Sequence, residues 1–94
     1  MGTATDAQFR AVLPKVLGQA LRATRIACGR TVAETAKAAG VSAEWYRRLE
    51  KGDGMPSASA AEGLIRALPA LDPMTKEELR TFARAPRQRR SAST

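Results

Sequence analysis

Two neighbouring arginines, Arg47 and Arg48, are the residues whose type and spacing point most directly to a chemical role. A guanidinium can donate two hydrogen bonds to the acceptors of a guanine base, so each arginine is a candidate for reading guanine. We expect at least one of them to contact only phosphate. If the segment after Ser42 is helical, at about 100° per residue, both arginines lie on one outer face. That face comprises Ala43, Glu44, Arg47, Arg48 and Lys51.

The other residues on or beside this face are less specific. Glu44 either accepts from the amino group of cytosine or pairs with Arg47 or Arg48, and pairing is the favoured alternative. Ala43 can contact a thymine methyl group but cannot hydrogen bond through its side chain. Trp45 stands at the edge of the apolar stripe, where we expect it in the core with one ring edge exposed rather than stacked on nucleic acid. A charged outer face is also what any solvated amphipathic helix presents.

The run 31–52 must position these side chains, and it predicts two short helices joined by a tight turn. Thr31 caps the first helix, and Glu34 completes a capping box. Gly40 can adopt the left-handed conformation that ends this helix, and Ser42 caps the next one. This layout, with a basic face on its second helix, fits the major groove of DNA. The opposite side of that helix carries the predicted core stripe, Trp45, Tyr46 and Leu49.

The composition predicts an all-α fold. There are 19 alanines, and β-branched and aromatic residues are sparse. A chain of 94 residues suits one domain, in which five or six helices with short connections form a compact bundle. We divide it into an N-terminal extension with a short helix at 1–14, a DNA-binding domain at 15–85 and a disordered basic tail at 86–94.

Several helix ends are expected at particular residues. Pro14 either separates two helices or stands in the first turn of the second one. A later helix starts at Ser57 or Ser59, and Thr75–Arg84 is the last helix, with Thr75 as its cap. Cys28, in apolar register at the end of a helix, is expected to be a small core residue.

The net charge of +7 and the pI of about 10.8 suggest a polyanionic partner. The last eleven residues hold four arginines and no acid, so much of this charge belongs to the tail, which either contacts DNA or is merely solvated. The single cysteine forms no intrachain disulfide. With no histidine, no phosphate-binding glycine loop and no metal-ligand cluster, we expect neither an enzyme nor a cofactor. No signal peptide or membrane span is recognisable, so a cytoplasmic protein is expected.

Over roughly residues 17–83 the chain resembles the Cro/C1-type (XRE-family) helix-turn-helix domain. The form W-Y-R-R-L-E-K-G followed by P-S looks most like actinobacterial members. The resemblance implies a lambda-repressor-like, five-helix domain whose third helix, residues 42–51, enters the major groove. The matching stretches are L-G-Q-A-L-R-A-T-R at 17–25, T-V-A-E-T-A-K-A-A-G-V-S at 31–42, Y-R-R-L-E-K-G at 46–52, P-S-A-S-A-A-E-G-L-I-R-A-L at 56–68 and D-P-M-T-K-E-E-L-R-T-F-A at 72–83.

The resemblance also implies that Arg25 pairs with Glu50 and clamps the first helix to the third. Two departures stand out, because the family often has glutamine at the positions of Val32 and Ala43, where it contacts phosphate and a base. The usual leucine after the first helix is Arg30 here, which can supply a phosphate contact instead. The expected DNA-facing set is therefore Arg30, Thr31, Ser42, Ala43, Glu44, Trp45, Arg47, Arg48 and Lys51.

The leading hypothesis is a sequence-specific regulator of transcription that binds double-stranded DNA, with repression as the simpler outcome. A homodimer on an inverted repeat is expected. The last helix is the candidate dimer surface through Leu79 and Phe82, or these residues close the core of the monomer. The competing hypothesis is a protein-interaction module, such as an antitoxin or the partner of a regulator, that keeps the fold without strong DNA binding. The missing glutamines favour it somewhat.

Overall fold

The computed structural model describes the backbone of residues 6–83 and the side chains of residues 13–83. This part contains no strand and consists of five helices, which confirms the all-α prediction. The predicted disorder of residues 1–5 and 86–94 lies outside the described residues. The helices are α1 (Asp6–Ala27), α2 (Val32–Ala39), α3 (Ala43–Glu50), α4 (Ala58–Ala67) and α5 (Pro73–Phe82).

Leucines from four of the helices meet in a single core. Helix α3 packs against α1 and α2, while α4 packs against α2 and α5. Burying one leucine side chain stabilises a fold by about 1.5–3 kcal/mol. The shared leucine core is therefore the main source of the free energy that holds the helices together. The buried leucines of the helices are Leu13, Leu17, Leu21, Leu49, Leu64 and Leu79.

Two glycines let neighbouring helices approach each other closely. A Cβ atom on Gly18 of α1 would lie 2.6 Å from the carbonyl oxygens of both Leu49 and Glu50, at the end of α3. A Cβ atom on Gly63 of α4 would overlap the carbonyl oxygen of Ala39, at the end of α2. Backbone atoms cannot retreat as a flexible side chain can, so both helix contacts require glycine.

Helix α1 continues through Pro14, so the prediction that Pro14 separates two helices or begins the second one was wrong. Proline inside a helix removes one backbone hydrogen bond and crowds the preceding turn. Leu13 and Leu17, one on each side of the proline along the chain, are both buried. A continuous helix keeps these leucines on the same face, and that packing outweighs the local cost.

The last helix begins two residues earlier than Thr75, and the prediction that Thr75 caps it was wrong. Asp72 is the cap: its carboxylate accepts the backbone N–H of Thr75 at 3.1 Å and the hydroxyl of Thr75 at 2.6 Å. Pro73 occupies the first turn, where its missing N–H costs nothing. Of the two serines considered for α4, Ser57 is the cap and accepts the N–H of Ala60 at 3.2 Å.

Cys28 is exposed, so the prediction that it is a small core residue was wrong. Helix α1 ends at Ala27, and Gly29 takes a φ of 70° directly after Cys28. The chain therefore turns away from the core here, and the apolar register of the helix no longer applies to Cys28.

Candidate nucleic-acid interface

The turn between α2 and α3 has the local geometry predicted from sequence. The Thr31 hydroxyl accepts the N–H of Glu34 at 3.0 Å, and the Glu34 carboxylate accepts the N–H of Thr31 at 2.9 Å. Gly40 ends α2 with a φ of 80°, and the Ser42 hydroxyl accepts the N–H of Trp45 at 3.1 Å. The hydroxyl of Thr31 thus caps α2, and that of Ser42 caps α3 and fixes where this helix begins.

Helix α3 has one buried face and one exposed face. Tyr46 and Leu49 are buried, and Trp45 is half-buried against the core. Ala43, which the sequence placed on the outer face, is also half-buried and packs against the core. The exposed members of the outer face are therefore Glu44, Arg47, Arg48 and Lys51.

The favoured pairing of Glu44 with Arg47 or Arg48 is absent from the described residues, and that prediction was wrong. Arg48 instead pairs with Asp53 in the loop after α3, where Nε lies 3.1 Å from Oδ2. Asp53 is a residue of this surface that sequence reasoning missed. Its only signal was its place between Gly52 and Gly54, in a loop directly after the basic helix.

The ion pair implied by the resemblance is present. Arg25 donates to the Glu50 carboxylate from Nε at 2.6 Å and from Nη2 at 3.1 Å. The two side chains are 13% and 8% exposed, so the pair is shielded from solvent. The hydrogen bonds to Glu50 raise the pKa of Arg25, which keeps the guanidinium charged. This pair joins α1 to the last turn of α3.

Arg30 continues the same network towards α4. The carbonyl of Arg30 accepts from Nη1 of Arg25 at 2.9 Å, and Nη1 of Arg30 donates to the carbonyl of Ala67 at 2.9 Å. Ala67 is the last residue of α4, so the Arg30 guanidinium satisfies a carbonyl that the helix leaves unpaired. The sequence offered no signal for this contact, because it joins residues 37 positions apart.

The Tyr46 hydroxyl is the one buried side-chain polar atom of the described residues that makes no hydrogen bond. Burial, assisted by the neighbouring Glu50 carboxylate, raises the pKa of Tyr46, so the phenol is protonated at neutral pH. Its ring fills the core beneath the exposed arginines, which makes Tyr46 part of the support of this face.

The candidate dimer residues on α5 differ in exposure. Leu79 is fully buried in the core of the monomer, so the alternative in which it forms a dimer surface was wrong. Phe82 is half-buried and packs against the same core. The described residues contain no helix long and apolar enough to cross a membrane, and no cluster of side chains able to hold a metal ion.

Comparison with known proteins agrees with this geometry. A family model described as a helix-turn-helix domain matches residues 16–79, which is more than half of the chain and contains all of α2, α3 and α4. No curated protein and no solved structure matches the chain significantly. The match says nothing of a source organism, so the resemblance to actinobacterial members stays a prediction.

Proposed function

The chain belongs to the helix-turn-helix domain family, of the Cro/C1-like kind, and on this premise we propose that it regulates transcription by sequence-specific binding to double-stranded DNA. Helix α3 is the element that enters the major groove. Its first residues approach the base edges, and its later ones reach base edges or phosphates.

The charge of the exposed face of α3 carries this proposal. This face carries three exposed cations, Arg47, Arg48 and Lys51, and one exposed acid, Glu44. In the described part of the chain, Arg47 and Lys51 have no ion-pair partner. Cations that are free of internal partners can neutralise phosphates and release counterions, which supplies most of the affinity of such proteins for DNA.

Arg47 and Arg48 supply the sequence discrimination in this account. Each guanidinium can approach guanine as a planar fork, and one good bidentate contact contributes about 1–3 kcal/mol of discrimination against the wrong base. Ala43 adds at most an apolar contact with a thymine methyl group. Glu44 has no partner among the described residues and is free to accept from cytosine.

Repression and dimerisation are parts of the same proposal. A homodimer would place two copies of α3 on half-sites about one helical turn apart, on an inverted repeat. A protein bound there blocks RNA polymerase without a further activity. Because Leu79 is buried, the contact between the copies must use other surfaces of the domain.

A second candidate function, a protein-interaction module, has two observations in its favour. Arg30 already donates to the carbonyl of Ala67, which ties up one of its donor nitrogens. Ala43 is half-buried and has no side-chain hydrogen-bonding group. Arg30 and Ala43, both in the expected DNA-facing set, therefore offer less to DNA than the sequence alone suggested.

Titration of the full chain with duplex DNA across salt concentrations separates the two functions. DNA binding predicts that the logarithm of the affinity falls linearly with the logarithm of the salt concentration. Replacing Arg47 and Arg48 together by alanine should weaken binding, and each phosphate contact that is lost should reduce the steepness of this slope by about 1. The matched control replaces Arg66 and Arg80, exposed arginines of α4 and α5, which are not among the helices that pack against α3. Equal effects of the two double variants would show that binding does not depend on the exposed face of α3, which contradicts the proposed function. Absence of salt-dependent binding by the parent protein would favour the protein-interaction module.

A further inference from the structure

The ion pair between Arg48 and Asp53 is held by the backbone as well as by the side chains. Gly52 has a φ of 82°, and its N–H donates to the carbonyl of Leu49 at 3.0 Å. The N–H of Asp53 donates to the carbonyl of Arg48 at 3.0 Å. These two bonds form the Schellman arrangement that ends a helix at a left-handed glycine. Asp53 is thereby fixed one turn beyond Arg48, beside its side chain.

The side-chain contact engages one particular nitrogen of Arg48. Nε donates to Oδ2 of Asp53, and the Arg48 guanidinium makes no other hydrogen bond within the described residues. A guanidinium has five N–H donors, of which Nε carries one. The four hydrogens of Nη1 and Nη2 remain available at the outer end of the side chain. With Nε occupied, the bidentate approach left to a guanine is the end-on one, through Nη1 and Nη2.

We propose that Asp53 is a specificity-determining positioning residue, which holds Arg48 for end-on recognition of guanine. This inference rests on the proposed DNA-binding function and assigns to Asp53 a role within it. Holding the guanidinium in one orientation before binding removes part of the entropy cost of ordering a long side chain on the base. The carboxylate also repels phosphates, so it lowers affinity for sequences that do not reward the oriented arginine.

The pair contributes to recognition rather than to folding. Its side chains are 61% and 62% exposed, and exposed ion pairs add little to stability. Variants at Asp53 should therefore unfold at the same temperature as the parent protein. A change in their DNA binding can then be assigned to the surface itself.

The test measures guanine discrimination as the ratio of Kd values for two duplexes, which differ only at the guanine whose preference is lost in Arg48→Ala. Asp53→Ala should lower this ratio by about fivefold or more, a part of what a bidentate contact supplies. Asp53→Asn keeps an oxygen that can accept from Nε, so its ratio should lie between those of the parent and Asp53→Ala. In the Arg48→Ala background, Asp53→Ala should change the ratio no further.

The pair between Arg80 and Glu62 supplies the matched control. It has the same Nε donor and the same 3.1 Å distance, with side chains 50% and 51% exposed. Glu62→Ala should leave the ratio unchanged. If Asp53→Ala and Asp53→Asn instead tighten binding to both duplexes by one common factor, Asp53 is only a repelling charge and the inference is overturned. Failure of the parent protein to bind any duplex at low salt would overturn the proposed function itself, so the two failures are distinguishable.

Discussion

The guanidinium of Arg25 donates two hydrogen bonds to the carboxylate of Glu50, from Nε at 2.6 Å and from Nη2 at 3.1 Å. Arg25 lies in the last turn of α1, and Glu50 is the last residue of α3. The pair therefore joins the C-terminal turns of α1 and α3. The backbone of Gly18 abuts the same end of α3, so an ion pair and a close backbone contact restrain it together.

Removing either partner of this pair should destabilise the domain by about 2 kcal/mol, because the remaining charge is left shielded from water without its partner. Urea unfolding followed by circular dichroism measures the free energy of unfolding of Arg25→Ala, Glu50→Ala and the double variant. The double variant should lose clearly less than the sum of the single variants. Simple additivity would show that the two side chains act independently.

Gly63→Ala should destabilise the domain even though alanine is the better helix former. Helix propensity favours alanine by about 1 kcal/mol, but the new methyl group overlaps the carbonyl of Ala39 and forces α2 and α4 apart, at a cost of about 1–3 kcal/mol or more. Ser59→Ala, at an exposed position of the same helix, is the control and should stay within about 0.5 kcal/mol of the parent. A Gly63→Ala protein more stable than the parent would contradict the close packing.

Tyr46→Phe should leave the free energy of unfolding at neutral pH within about 0.5 kcal/mol of the parent, or raise it, because the buried hydroxyl makes no hydrogen bond to the described residues. Folding raises the pKa of Tyr46 above its ordinary value of 10. The parent should therefore lose stability as the pH rises above 10, since the unfolded state releases its phenolic proton first. Tyr46→Phe should remove that part of the alkaline decline. A clear loss of stability in Tyr46→Phe at neutral pH would mean that the hydroxyl has a partner.

Asp72 should contribute to acid sensitivity. The hydrogen bonds from the hydroxyl and the backbone of Thr75 hold the pKa of Asp72 below its ordinary value of 3.8. A lowered folded-state pKa means that the carboxylate stabilises the domain above pH 3.8, and that this contribution is lost as the pH falls through the folded-state value. Asp72→Ala should therefore have a lower Tm at neutral pH, with a gap to the parent that closes under acid. A difference in Tm between parent and variant that does not change with pH would contradict a stabilising role of the ionised carboxylate.

Local sequence signals predicted the turn between α2 and α3 in detail. The capping box of Thr31 and Glu34, the left-handed Gly40 and the Ser42 cap all depend on residues within a few positions of each other. Such patterns specify their own backbone, so composition and spacing suffice. The buried stripe of α3 followed for the same reason, since Tyr46 and Leu49 recur at helical spacing.

Features that depend on distant parts of the chain were missed. Pro14 has the sequence signal of a break, and only the burial of leucines on both sides of it explains the continuous helix. The contact of Arg30 with Ala67 and the close approach of Gly63 to Ala39 each join segments that are far apart in the sequence. The pair of Arg48 with Asp53 was missed as well, because the composition of 52–57 predicts a loop but not where that loop places its carboxylate.

Selection of bound sequences from a pool of random duplex DNA, carried out with the parent chain and with the Arg47→Ala, Arg48→Ala double variant, tests the central claim most directly. The account predicts that the parent enriches an inverted repeat with guanine in each half-site, with centres about one helical turn apart. The double variant, shown to be folded by circular dichroism, should lose that guanine preference. Enrichment of the same sequence by both proteins, or of no sequence by the parent, would contradict the assignment of α3 as the helix that reads DNA.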